Sequence, residues 1–471
     1  MATDIRFGTD GWRGIIAEDF TFANVTRCSQ GLADYLKAQG TAGKGLVVGY
    51  DTRFLSREFA ETVASVLAGN GIRAYLSREA APTPVISFNV LHLQAAGAAI
   101  ITASHNPAIW NGFKFKPEYA GSATQEITDR LEQAIAQVGE ASSMPLVRAR
   151  DEGLVVEIDP IPAYRERIED LVDLAAIRDA GLRVSVDAMF GAGAGYFSAL
   201  VSGGRTTVQE INGYRNPSFP GMEQPEPIAH NLTALIEGFK AEGASVGLAL
   251  DGDADRIGVV DELGRFITTL EVFSLLAHYL LENKGERGAL VKGVTSSMML
   301  NKLGQRFGVD VHEMKVGFKY IGPKMSQVDA LMGGEESGGF AFRGHIPERD
   351  GILSGLYVLE YMARTGMTAS QLVRHLFQQV GSHYYQRRDV SFSPDDRGRI
   401  EERLRSADLN DLAGMPVRSS DEIDGRRLVF DDAWLISRFS GTEPLLRIYA
   451  EADQPEKVSA LLDAAAEYLG V

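Results

Sequence analysis

Three aspartates at alternate positions, in Leu250-Asp251-Gly252-Asp253-Ala254-Asp255-Arg256, can converge on one hard cation through oxygen ligands. Carboxylates this close repel one another without a counter-ion, so a bound cation is expected, with Mg2+ the natural choice. An EF-hand is the obvious rival, because Glu262 falls at its twelfth position. It fails on context: Arg256 occupies the glycine position, and both flanks read as strands rather than helices. A solvated acidic turn is the plain alternative.

Thr102-Ala103-Ser104-His105-Asn106-Pro107, followed by Asn111-Gly112-Phe113-Lys114, offers a serine, a neighbouring imidazole and a cation ten residues on. These are the parts of covalent phosphoryl transfer: an oxygen nucleophile, a polar neighbour and a charge facing the phosphoryl oxygens. Ser-His-Asn-Pro is equally good turn chemistry, and alone it leaves both readings open. The stretch lacks a Gly-x-Ser-x-Gly elbow, which argues against an acyl hydrolase.

Two further loops carry ligand chemistry. Gly333-Gly334-Glu335-Glu336-Ser337-Gly338-Gly339-Phe340 presents acidic and hydroxyl groups to sugar hydroxyls, although a surface loop would have the same composition. Arg438-Phe439-Ser440-Gly441-Thr442-Glu443-Pro444, with Arg447 beyond, combines guanidinium groups, hydroxyls and glycine-permitted amides into a phosphate cradle. A hairpin with surface arginines is the alternative. No Walker A motif competes, since Gly43-Lys44 is followed by Gly45.

Short strands must position these loops. Leu46-Val47-Val48-Gly49-Tyr50-Asp51 reads as a buried strand, and residues 56–69 carry helical spacing. Ala98 to Thr102 reads as a second buried strand, ending at the Ser104 loop. Leu182 to Val186 runs into the glycine-rich turn Phe190-Gly191-Ala192-Gly193-Ala194-Gly195, and Ser245 to Leu250 ends at the aspartates. Loops at strand C-termini are where α/β sheets face ligands. The glycine-rich turn does not make a dinucleotide site, because Tyr196 stands at the third glycine position of G-x-G-x-x-G. Boundaries are expected near Arg150, between Asp261 and Gly264, and between Gln379 and Arg388. No internal repeat is visible.

The 471 residues are 45% hydrophobic and 23% charged, enough for several packed domains. A net charge of -16 would repel nucleic acid or an anionic membrane, so a phosphorylated ligand must be held by a local cationic site, and a small substrate is expected. The single cysteine, Cys28, excludes an intramolecular disulfide. No signal peptide or apolar span is apparent, and a cytoplasmic location is expected.

Together, the four loops in this order closely resemble the phosphohexomutase superfamily of phosphoglucomutases and phosphomannomutases. Phe7-Gly8-Thr9-Asp10-Gly11-Trp12-Arg13-Gly14 looks like its N-terminal signature, and Val316-Gly317-Phe318-Lys319 like its third-domain contact segment. The resemblance implies three similar mixed-sheet α/β domains (1–150, 151–260, 261–380) and a smaller α+β domain (381–471) around a central cleft. It implies that Ser104 is phosphorylated and completes a Mg2+ site with Asp251, Asp253 and Asp255. Glu335 and Ser337 resemble sugar-hydroxyl contacts, and Arg438, Ser440, Gly441, Thr442 and Arg447 the site for the non-reacting phosphate. Arg13, His105, Lys114, Arg256 and Lys319 resemble the groups around the transferred phosphoryl. The implied reaction interconverts hexose 1- and 6-phosphates through a hexose 1,6-bisphosphate, which also serves as activator. Gly339 and Phe318 stand where members acting on both glucose and mannose phosphates carry histidines, and Glu336 resembles glucose-directed members. Phosphoglucomutase is therefore the expected activity, with phosphomannomutase or a non-catalytic phosphosugar-binding protein as alternatives.

Overall fold

The computed structural model describes residues 5–8, 10–406, 409–439 and 445–471. Its first sheet has the spatial order Trp12–Ile15, Trp110–Pro117, Gly97–Ile101, Leu46–Tyr50, Ala74–Ser77, Val155–Ile158. The last four strands are mutually parallel, and Trp110–Pro117 runs antiparallel between its two neighbours. Strand alternation explains the continuous apolar runs seen in the sequence. Val48 and Ile101 pack with Phe20, Phe59 and Phe113 on one face. Val47 and Ile100, one residue earlier, join a second core that continues through Tyr164, Phe197 and Leu248.

The second sheet, ordered Phe266–Ile267, Ile257–Val260, Val246–Leu250, Arg183–Asp187, Thr207–Ile211, and the third, ordered Val311–Met314, Leu290–Gly293, Met332–Gly334, Phe340–Phe342, are also mixed. The fourth is antiparallel: Tyr384–Ser391, Leu445–Ala452, Ala433–Phe439, Arg426–Val429 and Ser419–Asp421, covered by the helix Pro455–Leu469. Three domains with mixed α/β sheets and a smaller C-terminal domain with an antiparallel one make the expected fold class. No helix among the described residues is long and apolar enough to cross a membrane.

Two expected boundaries fall inside sheets. Val155–Ile158, beyond residue 150, closes the first sheet by pairing with Ala74–Ser77. Residues 261–264 form the turn of a hairpin, with Phe266–Ile267 still in the second sheet. Both stray strands are weak signals, the first because it is an exposed edge and the second because it is two residues long.

In each of the first three sheets, a buried strand runs out to a loop and returns antiparallel beside itself. Gly97–Ile101 returns as Trp110–Pro117, Val246–Leu250 as Ile257–Val260, and Met332–Gly334 as Phe340–Phe342. The Ser104, Asp251 and Glu335 loops are those three turns. This repeat is one of backbone topology, invisible in residue identity.

Candidate active site

Ser104 is 1% exposed and sits at φ 52°, a left-handed backbone that disfavours a side chain. Its amide donates to Thr102 Oγ1 at 2.8 Å, and its hydroxyl donates to Asp251 Oδ2 at 2.8 Å, with His105 Nδ1 3.3 Å away. The aspartate loop can approach this closely because Gly252 has no side chain. A Cβ there would lie 2.4 Å from the Ser104 carbonyl oxygen.

Asp251, Asp253 and Asp255 are fully buried, and each places a carboxylate oxygen within 4.8 Å of the others. One oxygen of Asp253 and one of Asp255 are held by neighbouring side chains. Asp253 Oδ2 accepts from Thr83 Oγ1 at 2.6 Å and Lys114 Nζ at 2.9 Å, and Asp255 Oδ2 from Arg349 at 2.8 Å. The opposite oxygens, Asp253 Oδ1 and Asp255 Oδ1, are buried without a hydrogen-bond partner among the described residues. Buried, unpaired carboxylate oxygens beside a serine hydroxyl are a donor set that fits a small divalent cation. Burial and repulsion from Asp255 and Asp253 raise the Asp251 carboxyl well above its ordinary pKa, a strain that a cation relieves.

The cations come from other elements. Alternation along Trp110–Pro117 sends Phe113 and Phe115 into the core and Lys114 and Lys116 to the opposite face. Burial alone would lower the Lys114 pKa, but Asp10, Asp253 and Asp255 raise it, so the ammonium stays charged. Its strongest partner is Asp10 at 2.7 Å. His105 is the converse: burial, then Arg256 and Arg13, hold its pKa well below the ordinary value and keep the ring neutral. Arg13 donates to Asn106 in the serine loop, and Arg256 pairs with Glu226 at 2.9 Å while its amide donates to Asp251 Oδ1.

A chain of polar contacts links this centre to the fourth sheet. Arg349 Nη1 lies 3.9 Å from Glu335, which accepts the Gly317 amide at 2.7 Å. The preceding amide, Val316, donates to Asp424 at 2.9 Å, and Asp424 pairs with Arg438 at 3.4 Å. Arg438 and Arg447 are cross-strand neighbours. Ser337 lies in the tight turn closed by the Gly338 amide on the Glu335 carbonyl. Ser440, Gly441 and Thr442, and Thr9 of the N-terminal signature, lie outside the described residues.

Lys319 lies apart from these groups. Its ammonium donates to Gln125 at 2.8 Å and lies over the Tyr320 ring, with no contact to Ser104 or the triad among the described residues. The sequence reading missed Arg349, which bridges Asp10 and Asp255, and Lys116, which pairs with Asp10 and Glu348. The signal available for Lys116 was its spacing, two residues from Lys114 on one strand.

Comparison with known proteins gives the same reading for the whole chain. Phosphoglucomutase/phosphomannomutase alpha/beta/alpha domains I, II and III match residues 4–142, 162–264 and 270–380, and the C-terminal domain matches 399–468. A phosphoglucomutase/phosphomannomutase of Thermococcus kodakarensis is 32% identical over 97% of this chain and 96% of its own. A phosphoglucomutase of Komagataeibacter xylinus is 28% identical over 95% of this chain and 87% of its own. A crystal structure from Thermus thermophilus, bearing a provisional phosphomannomutase name, is 36% identical, covers 100% of both chains and superposes with a TM-score of 0.88. With all four domain models matched in order along the chain, the chain belongs to the phosphoglucomutase/phosphomannomutase family, whose members are intramolecular phosphotransferases.

Proposed function

We propose that this protein interconverts hexose 1-phosphate and hexose 6-phosphate in the cytoplasm, with glucose the preferred sugar, through a phosphoserine at Ser104. The observation that carries the reading is the hydrogen bond of Ser104 Oγ to Asp251, inside a carboxylate triad faced by Lys114. Each of the four domains, the first reaching to Ile158 and the second to Ile267, would contribute one loop.

Each transfer exchanges one P–O bond for another. The bond from phosphorus to Ser104 Oγ breaks as the bond to the sugar oxygen forms, and the proton given up by the sugar hydroxyl is balanced by one taken up at Ser104 Oγ, which leaves as the free hydroxyl. The neutral His105 ring, 3.3 Å from Oγ, can hold a proton at that end. Asp251, Asp253 and Asp255 would hold Mg2+ with a phosphoserine oxygen; the bound ion would neutralise charge on the phosphoryl group. Lys114 and Arg349 fix Asp253 and Asp255 by one oxygen each, which leaves the other oxygen of each available to the ion. Glu335 and Ser337 would orient the sugar, and Arg438 and Arg447, with Ser440, Gly441 and Thr442, the distal phosphate. The bisphosphate formed turns over in the cleft and returns its other phosphate to Ser104, and added bisphosphate charges unphosphorylated enzyme.

Two observations support glucose. A Cβ at Gly339 would lie 2.3 Å from Arg349 Cδ, so a histidine there, the mark of dual-specificity members, conflicts with Arg349 in place. Glu336, which resembles glucose-directed members, is held by Tyr385 and Arg387. The test is a coupled assay with glucose 1-phosphate and mannose 1-phosphate side by side, on wild type and Ser104→Ala. Mutase activity surviving in Ser104→Ala would end the phosphoserine mechanism, and a higher kcat/KM on mannose 1-phosphate would end the glucose assignment.

A further inference from the structure

Arg53 is the largest fully buried side chain among the described residues, and its guanidinium is aimed at backbone rather than at any acidic ligand of the triad. Nη2 donates to the carbonyls of Ser104 and Asn106, both at 2.7 Å. Nη1 donates to those of Pro107 at 3.0 Å and Trp110 at 3.2 Å. Nε faces Asp51 Oδ2 at 3.1 Å. Four carbonyls of one loop therefore converge on one cation. Their dipoles would oppose one another without it, and the rigid fork of arginine can serve them at once as a lysine cannot.

The arrangement is braced from the second sheet's side. Phe219 lies under the guanidinium at 5.1 Å, Arg215 donates to the Arg53 carbonyl at 3.2 Å, and Thr52 donates to the Phe190 carbonyl at 2.8 Å. The Ser104 carbonyl is thereby held on one side by Arg53 while the Gly252 backbone packs against it on another. Ser104 keeps a left-handed φ that a side chain disfavours and that persists only where its surroundings over-determine it.

We propose that Arg53 is a positioning residue for phosphoryl transfer: it fixes the backbone of the 104–110 loop so that Ser104 presents Oγ to Asp251 and to the sugar oxygen. The inference rests on Ser104 being the phosphoryl carrier. No contact of Arg53 involves Glu335, Arg438 or Arg447 among the described residues, so the effect falls on transfer and not on sugar-phosphate binding.

The test uses full-length wild type, Arg53→Met, Arg53→Lys and Asp51→Asn. Each is charged with radiolabelled glucose 1,6-bisphosphate, the label is mapped by peptide sequencing, and discharge to glucose 1-phosphate is followed by rapid quench. Binding of glucose 1-phosphate is measured by calorimetry, and folding by circular dichroism. Arg53→Met should transfer on the order of a hundredfold more slowly, as a misplaced reacting group does, with binding unchanged. Arg53→Lys should recover part of the rate, and Asp51→Asn, which leaves the guanidinium in place without its partner, should lose less. If Arg53→Met does not fold, the other two must still show slower transfer at unchanged binding. Wild-type transfer rates in the folded variants, or equal losses of transfer and binding, would overturn the inference. Label on a residue other than Ser104 in the wild type would instead overturn the carrier reading beneath it.

Discussion

Tyr385, on the first strand of the C-terminal sheet, donates its hydroxyl proton to Glu336 in the third sheet's loop at 2.7 Å, with Arg387 3.5 Å from the same carboxylate. A loop proposed to read the sugar is thus latched to the unit proposed to hold the distal phosphate. A hydrogen bond to a charged group contributes about 1.5 to 3 kcal/mol. Tyr385→Phe should therefore raise KM for glucose 1-phosphate by roughly tenfold or more with kcat little changed. Steady-state kinetics would show it, and an unaltered KM would mean that the latch plays no part in substrate capture.

The distal cradle gives a second expectation. Arg447→Ala should raise KM by roughly ten- to a hundredfold and let more glucose 1,6-bisphosphate escape between the two transfers. Kinetics and released bisphosphate should be measured together; neither changing would remove Arg447 from the cradle.

Metal dependence is the third. Chelation should abolish turnover, and Asp253→Asn should lower it by roughly a hundredfold or more, since one anionic ligand is lost. Mn2+ binding followed by electron paramagnetic resonance should weaken in parallel. Full activity in excess chelator would contradict the triad's assignment.

Gly339 lies against Arg349, with the position a Cβ would take 2.3 Å from Cδ and 2.7 Å from Cγ. Gly339→Ala should displace that guanidinium from Asp10 and Asp255, lower kcat and destabilise the fold by about 1 to 3 kcal/mol. Urea unfolding and kinetics check both. A silent substitution would show that Arg349 has another resting place.

A pH effect on stability should come from His278, buried beside Tyr361 and His375, whose pKa burial lowers to about 4. The unfolded chain takes up a proton near pH 6.5 that the folded chain refuses until about pH 4. Stability is therefore lost as pH falls through that window, at up to about 1.4 kcal/mol per unit. Urea midpoints at pH 7 and pH 5 should differ less in His278→Gln than in wild type.

The legible parts of this fold were those written in local pattern. The strand Leu46–Tyr50 could be read because it is a short apolar run buried throughout, and the helix Ser56–Gly69 because its buried residues recur at helical spacing. The site loops could be read because serine, aspartate and glutamate sit at strand ends in chemically telling groups. Arg53 and Arg349 could not, and Lys116 only through its spacing from Lys114. Each is defined by partners far away in the chain, as Arg349 is by Asp10, and a lone arginine or lysine in a sequence says nothing of burial. The aspartates' free oxygens were equally hidden, since they follow from Thr83, Lys114 and Arg349 claiming the others.

The triad's counter-charges come from both flanks of the chain, Lys114 before it and Arg349 after it. During synthesis, where units fold from the N-terminus onward, the second sheet can form while Arg349 has yet to leave the ribosome. The nascent unit then carries its three carboxylates with only part of their neutralisation, in a crevice still open to water. Full charge balance arrives with the third unit and not before, so a truncated or stalled chain holds a serine and three aspartates while Asp255 still lacks its Arg349 partner.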